Sequence, residues 1–305
     1  MKVKDLLSIS DLTHEDIDSL IQDSVKMKRQ GWSSILDSKI LAILFEKPSL
    51  RTRVSFEVAV RQLGGQAIYL SPPEVGLGER ESVPDVARVL SRYVDVITAR
   101  TFSHQTVEVL ANYSSVPVIN ALSDLEHPCQ ALADFLTIYE KKGKLKNVNL
   151  AYIGDGNNVA NSLLLAASIT GMNFRIASPE GYSIHEGILH QAQDYTAISG
   201  SEILCTEEPG LAVSGADIVY TDVWASMGQE AEAQKRRKIF AGYQVNSELL
   251  SLARKDAIFM HDLPAHHGEE VAEGIIDSPQ SVVFDQAENR MHVLKALLPK
   301  MLGVL

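Results

Sequence analysis

Two cysteines in 305 residues, Cys129 and Cys205, stand far apart and show no metal-ligand spacing. That scarcity argues against a disulfide framework or a cysteine metal site, and it suits a reducing compartment. Basic charge is also short: 28 Lys and Arg against 39 Asp and Glu leave a net charge of −11. Nucleic acid is not the expected partner of so acidic a chain, although a local basic pocket can still hold a small anion. No apolar run reaches the length of a membrane helix, and Met1-Lys2-Val3-Lys4-Asp5 opens no apolar leader. Internal repeats and low-complexity tracts are absent. The expectation is a soluble, cytoplasmic protein with neither nucleic-acid nor membrane partners, long enough for two domains.

What is present centres on Phe45 to Glu57. An apolar run, Ile40 to Phe45, has the length and character of a buried strand. Beyond it, Val54, Val58 and Leu63 with Ala59 recur at helical spacing. The turn between them carries Ser49, Leu50, Arg51, Thr52 and Arg53 at a helix start. Unpaired backbone N–H groups and the positive end of the helix dipole meet two hydroxyls and two guanidiniums there, which makes an anion site. Arginine forks match phosphate oxygens in particular. The competing reading has Ser49 as a plain helix cap, with Arg51 and Arg53 in solvent or paired with Glu46 and Glu57.

Strand and helix then alternate. Ala67–Leu70, Val94–Ala99 and Val116–Ala121 read as strands, and Ser71–Glu81 as a loop rich in Pro, Gly and charge. Ser10–Asp16 reads as a capped helix start, Lys26–Lys39 as a polar connection, and Val83–Tyr93 and His104–Tyr113 as helices. Arg100 and His127 each follow a strand, as the Ser49 turn does, so a parallel sheet would bring them to one crevice. A neutral His127 is expected, since the field at a helix start disfavours imidazolium. Lys141-Lys142-Gly143-Lys144 breaks the pattern and marks a domain boundary. A second alternating set follows, with strands at Val148–Ile153, Phe174–Ala177, Ser201–Thr206, Asp217–Val223 and Ala257–Met260. The fold class is therefore α/β: two domains, each a mainly parallel sheet flanked by helices.

The second set carries its own polar turns. Gly154-Asp155-Gly156-Asn157-Asn158 hints at a pyrophosphate site, but Asp155 opposes a phosphate and no third glycine follows. Asn157 and Asn158 either present amides to a ligand or close the turn. Asp222, with Ser226 beside Met227 and Gly228, puts a carboxylate at a strand end, where it suits an ammonium or holds its own loop. His261-Asp262-Leu263-Pro264 adds an imidazole and a second carboxylate. His266, His267, Glu269 and Glu270 fix no metal geometry and read as a polar loop and helix start.

Taken in order, Ser49-Leu50-Arg51-Thr52-Arg53, Arg100 and His127-Pro128-Cys129-Gln130 resemble the carbamoyl phosphate half of the aspartate/ornithine carbamoyltransferase family. The later elements, Gly154–Asn158, Asp222 to Ser226-Met227-Gly228 and His261–Pro264, resemble its ornithine branch. The resemblance covers nearly the whole chain and implies carbamoyl transfer from carbamoyl phosphate to the δ-amine of L-ornithine, without a cofactor or metal. It implies a carbamoyl phosphate domain over 1–140, with the last helix 286–305 packing back on it, and an ornithine domain over 141–285. Closure of the two domains on substrates and a homotrimer, or an assembly of trimers, are implied as well. By the same resemblance, Ser49, Leu50, Arg51, Thr52, Arg53 and Arg290 would surround the phosphate. Arg100, His127 and Thr52 would face the carbonyl oxygen, and Gln130 would hold the carbamoyl amide. Asn158, Asp222, Ser226 and Met227 would bind the amino-acid end of ornithine, and Asp262 with Leu263 would complete the ornithine site, Asp262 standing near the reacting amine; Asp222 and Asp262 are the carboxylates counted as catalytic.

Two positions depart from that pattern. The ornithine branch usually has Cys where this chain has Asp262, and Gln or His near Gly76, in a loop that in relatives reaches the next subunit's site. Asp262 is an anion unless buried beside Asp222, where the two could share a proton; it would hold the ammonium, accept its proton or mark a different acceptor, and Arg80 is the candidate to replace the missing donor at Gly76. The competing functions are therefore a carbamoyltransferase for another amine, a noncatalytic phosphate-binding protein and, weakest, a nicotinamide enzyme.

Overall fold

The computed structural model describes residues 3–78, 80–225 and 230–305, apart from the side chains of Glu74 and Glu230. In chain order the helices of the first part are α1 (His14–Gln30), α2 (Leu50–Gln62), α3 (Pro72–Val75), α4 (Val83–Leu90), α5 (His104–Tyr113) and α6 (Pro128–Lys142). Its strands are β1 (Ile40–Phe45), β2 (Gln66–Leu70), β3 (Val96–Arg100) and β4 (Val118–Leu122). There follow β5 (Asn149–Ile153), α7 (Asn158–Thr170), β6 (Asn173–Ala177), α8 (Glu186–Ser199), β7 (Ile203–Thr206), α9 (Pro209–Val213) and β8 (Ile218–Thr221). The last elements are α10 (Ala233–Ile239), α11 (Ser247–Leu250), β9 (Ile258–His261) and α12 (Val283–Met301). The chain divides into two compact units, Met1–Leu136 with Glu288–Leu305, and Thr137–Ala287.

Both units are α/β with all-parallel sheets. The first has strand order β2-β1-β3-β4. Leu41 to Phe45 are all buried, which is why β1 reads as a continuous apolar run instead of alternating. The order reverses between β1 and β3, and their register sets Phe45 beside Arg100. A parallel sheet opens a crevice past its strand ends at such a reversal. The Ser49 turn and Arg100 flank this one. In the second unit the order is β7-β6-β5-β8-β9, and the reversal lies between β5 and β8. There Ile153 pairs with Thr221, and Thr221 with His261, so the Gly154 turn, Asp222 and Asp262 leave the sheet side by side.

Element ends differ from the sequence reading for local reasons. A turn of 3₁₀ helix, Ile9–Asp11, capped by Ser8, precedes α1, which is itself capped by Thr13 with Asp16 closing the capping box. The helix then runs five residues into the stretch read as a connection, because Met27 is buried and Lys28 and Arg29 suit a helix C-terminus that Gly31 ends. β3 starts two residues late, since the Asp95 carboxylate is occupied by the Ile40 amide and Lys39, both at 2.9 Å. The Ser71–Glu81 loop contains the single helical turn α3.

Within that loop Gly76 sits at φ 53°, where a Cβ would stand 2.8 Å from the Arg80 Cβ. Its missing side chain is thus a requirement of the turn. α12 is fastened to the first unit by Lys295, which is 1% exposed. Its ammonium donates to the carbonyls of Gly31 (2.6 Å) and Met27 (3.3 Å) and to the Gln62 side chain (3.0 Å). Three donors meet three acceptors at the negative end of the α1 dipole, although burial still pulls the Lys295 pKa down.

Candidate active site

In the first unit Ser49 caps α2 by accepting from the Thr52 amide at 3.3 Å, and its hydroxyl donates to Thr52 Oγ1 at 3.0 Å. Thr52 is fully buried and also accepts from Arg290 Nη2 at 2.9 Å, so a helix start and a residue 238 positions later share one hydroxyl. Arg100, His127 and Arg290 are each 5% exposed or less. Burial first, then the charges of Arg290 and Arg100, hold the His127 imidazole well below its ordinary pKa. The expected neutral His127 is thus supported, with burial and the charges of Arg290 and Arg100 as causes beyond the helix start considered in the sequence. Pro128 supplies the first residue of that helix, and Gln130, one turn in, is fully buried and donates from Nε2 to Asp134 Oδ1 at 2.8 Å.

Not every residue of the Ser49 stretch takes part. Arg53 binds Glu57 at 2.7 Å and lies 3.9 Å over the Tyr69 ring, as the competing reading had it. Leu50 is 76% exposed. Arg51 is half-buried on the first turn of α2.

The second unit assembles a different chemistry. Asp222 is buried at the end of β8, where Asn157 Nδ2 donates to one carboxylate oxygen at 2.7 Å and the Val223 amide to the other at 2.7 Å. Asn157 also caps α7 through its Oδ1, so it closes the turn and positions Asp222 together. Donor atoms of Asp222, His261 and Asp262 all lie within 4.8 Å of one another. His261 Nδ1 accepts the Leu263 amide at 2.9 Å, which leaves the ring proton on Nε2, facing Glu270 Oε1 at 3.2 Å. With Nδ1 engaged, the cluster offers two carboxylates beside a neutral ring, a set that suits an ammonium. Leu263 has φ 61° and a cis bond to Pro264. Asn158 opens α7 and is half-buried. Ser226 and Met227 lie outside the described residues.

The Gly154 turn is not a pyrophosphate cradle. Gly156 packs against the Ser183 backbone, where a Cβ would sit 2.3 Å from a carbonyl carbon, and Asp155 pairs with Arg236 at 2.6 Å. Arg236, buried on α10 and 4.9 Å from the Tyr182 ring, also donates to the Trp224 carbonyl at 2.8 Å. Asp134 and Arg236 were missed in the sequence because a lone charged residue on a helix reads as solvated, and Glu270, named there, was read as part of a polar loop. Only their full burial betrays them.

The His127 arrangement has a measurable acid signature. Its native pKa lies below the unfolded value, so the native state binds fewer protons, and stability is lost as pH falls below about 6.5. Urea unfolding between pH 7 and pH 5.5 should show His127→Gln losing less stability than the wild type, by up to about 1.4 kcal/mol per pH unit. Parallel pH dependences would contradict this assignment.

Comparison with known proteins gives a family match to each half of the chain. Residues 4–140 match the aspartate/ornithine carbamoyltransferase carbamoyl-P binding domain, and residues 146–301 the Asp/Orn binding domain of the same family. The ornithine carbamoyltransferase of Pyrococcus abyssi is 52% identical over 99% of this chain and 97% of its own. That of Bacillus subtilis is 53% identical over 98% and 94%. Among solved structures, the Pyrococcus furiosus ornithine carbamoyltransferase superposes with a TM-score of 0.95 at 52% identity, covering 98% and 97% of the two chains. The anabolic enzyme of Campylobacter jejuni gives 0.95 at 41%, covering 98% and 99%. With both halves matched and such identity over its length, the chain belongs to the aspartate/ornithine carbamoyltransferase family.

Proposed function

We propose that the protein transfers the carbamoyl group of carbamoyl phosphate to the δ-amine of L-ornithine, giving L-citrulline and phosphate. The observation that carries this reading is the contrast between the two sheet-end clusters. One gathers Arg100, Arg290, Thr52 and a neutral His127; the other sets Asp222 and Asp262 together. The first suits an acyl phosphate, the second an ammonium, and aspartate as acceptor would meet the wrong charge at Asp222.

Carbamoyl phosphate arrives activated, so the chemistry needs alignment and charge stabilisation, which side chains alone can supply. The amine nitrogen bonds to the carbonyl carbon, the C–O bond to phosphate breaks, and the ammonium proton leaves. Ser49, Leu50, Arg51, Thr52, Arg53 and Arg290 are read as the phosphate shell, with Arg53 leaving Glu57 to join it. Arg100, His127 and Thr52 donate to the developing oxyanion, and Gln130 holds the carbamoyl amide. Asn158, Asp222, Ser226, Met227, Asp262 and Leu263 bind ornithine, and Asp262 takes the proton. An alkyl ammonium near pKa 10 is almost wholly charged at neutral pH, so a nearby carboxylate acceptor matters. A homotrimer, or an assembly of trimers, in the cytoplasm completes the reading, and the anabolic designation of the P. furiosus and C. jejuni relatives favours the synthetic direction.

A second reading, transfer to another amine, is favoured by Asp262 itself. Purified protein should be given carbamoyl phosphate with ornithine, putrescine, lysine, N-acetylornithine and aspartate in parallel. Citrulline from ornithine alone is expected. Product only from another amine would recast Asp262 as a specificity change, and no product from any would leave a binding protein.

A further inference from the structure

We infer that Asp134 sets the donor specificity of the site, by fixing which end of the Gln130 amide faces the bound acyl phosphate. This rests on the assignment of carbamoyl phosphate to the first unit. Gln130 and Asp134 stand four residues apart on α6, both fully buried, with Gln130 Nε2 donating to Asp134 Oδ1 at 2.8 Å. The two ends of a glutamine amide have nearly the same shape, and the hydrogen-bond partner decides between them. A carboxylate only accepts, so it takes the NH₂ end and leaves Oε1 as the end that remains. That oxygen is buried and has no hydrogen-bond partner among the described residues.

A buried carbonyl without a donor is costly, so a ligand that brings an N–H to it is favoured over one that does not. The neighbouring groups, Arg100, His127 and Arg290, are rich in donors and match the carbonyl and phosphate oxygens of the substrate. Gln130 Oε1 is the acceptor in this set. It matches the single feature that separates carbamoyl phosphate from acetyl phosphate, an NH₂ where the other has a methyl of similar size. Sites built around such a hydrogen bond discriminate strongly against the analogue that lacks it. Asp134 touches no substrate in this scheme; it is a positioning residue.

The test compares donors on the intact protein: KM for carbamoyl phosphate, and inhibition constants for acetyl phosphate and inorganic phosphate. Asp134→Asn keeps the shape but offers Gln130 either a donor or an acceptor, so the amide is no longer forced. The preference for carbamoyl over acetyl phosphate is expected to fall at least ten-fold, while inhibition by inorganic phosphate stays within two-fold. Gln130→Met, which removes the acceptor, should lose the same preference, and adding Asp134→Asn to it should change nothing further. Parallel weakening of all three ligands by Asp134→Asn would make Asp134 a structural residue and overturn the inference. So would an unchanged preference in either single variant; if Asp134→Asn does not fold, Asp134→Ser, which likewise no longer forces the amide, takes its place in the same comparison. A wild-type protein that turns over no carbamoyl phosphate brings down the donor assignment too, whereas an active wild type with parallel losses brings down only the role of Asp134.

Discussion

Arg100→Ala should lower kcat for citrulline formation by about 10²–10³-fold, the cost of removing one preorganised donor from a developing oxyanion. The side chain is 5% exposed at the end of β3, beside the neutral His127 that both Arg100 and Arg290 help to keep uncharged. The alanine variant should remain folded, so that its thermal midpoint, measured alongside, separates a loss of chemistry from a loss of structure. His127 supplies a second reading of the same change. With one of its two cations gone its pKa should rise part of the way back, and only part, because burial is the larger cause. Turnover within a few-fold of wild type would remove Arg100 from the chemistry, whatever happened to His127.

Arg236→Ala should act in the opposite way, costing stability first. Its guanidinium is buried, bonded at 2.6 Å to Asp155 and at 2.8 Å to the Trp224 carbonyl. Removing one partner of a buried ion pair typically costs about 3–5 kcal/mol, because the other charge is left without compensation. Asp155 already has a raised pKa: burial lifts it, Arg236 pulls it down, and Asp222 lifts it again. Without the arginine it should titrate higher still. The native state of the variant then binds a proton that the unfolded chain releases, so its stability should recover as pH falls from 7 toward 5. At pH 7 a loss of about 3 kcal/mol corresponds to a midpoint lowered by roughly 6–12 °C for a unit of this size. A deficit that does not shrink at pH 5 would locate the damage in packing against Tyr182 and not in the charge left on Asp155.

How far the sequence disclosed all this depends on what kind of signal each feature left. The fold class was readable because both sheets are parallel and covered on both faces, which writes apolar runs such as Ile40–Phe45 and turns between them. Ser49, Arg100, His127 and Asp222 were readable because strand ends are the positions that a parallel sheet exposes to a ligand. Arg53 shows the limit of that logic. Its place in the stretch is right for an anion, yet Glu57 one helical turn on and the Tyr69 ring hold it, and a linear pattern does not rank such competitors. Asp134 and Glu270 illustrate a different gap. A carboxylate on a helix or loop carries no mark of burial, so the groups that orient Gln130 and His261 surfaced only with coordinates. The charges that help keep His127 neutral were hidden for a similar reason, since Arg290 lies at the far end of the chain.

That distance has a consequence for how the protein is made. Unit 1 is completed by residues 288–305, and the Thr52 hydroxyl is bound by Arg290, 238 residues later. At about 5–20 residues per second, a ribosome takes roughly 12–48 s to cover that gap. Throughout that interval the first-made strands lack their closing helix, Lys295 has not reached the end of α1, and Thr52 lacks its guanidinium. The second unit, contiguous from Thr137 to Ala287, is fully synthesised before the first. The usual order of synthesis is thus inverted: the later-encoded unit can fold while the earlier one waits for residues 288–305, and Thr52 gains its guanidinium only once Arg290 has been made.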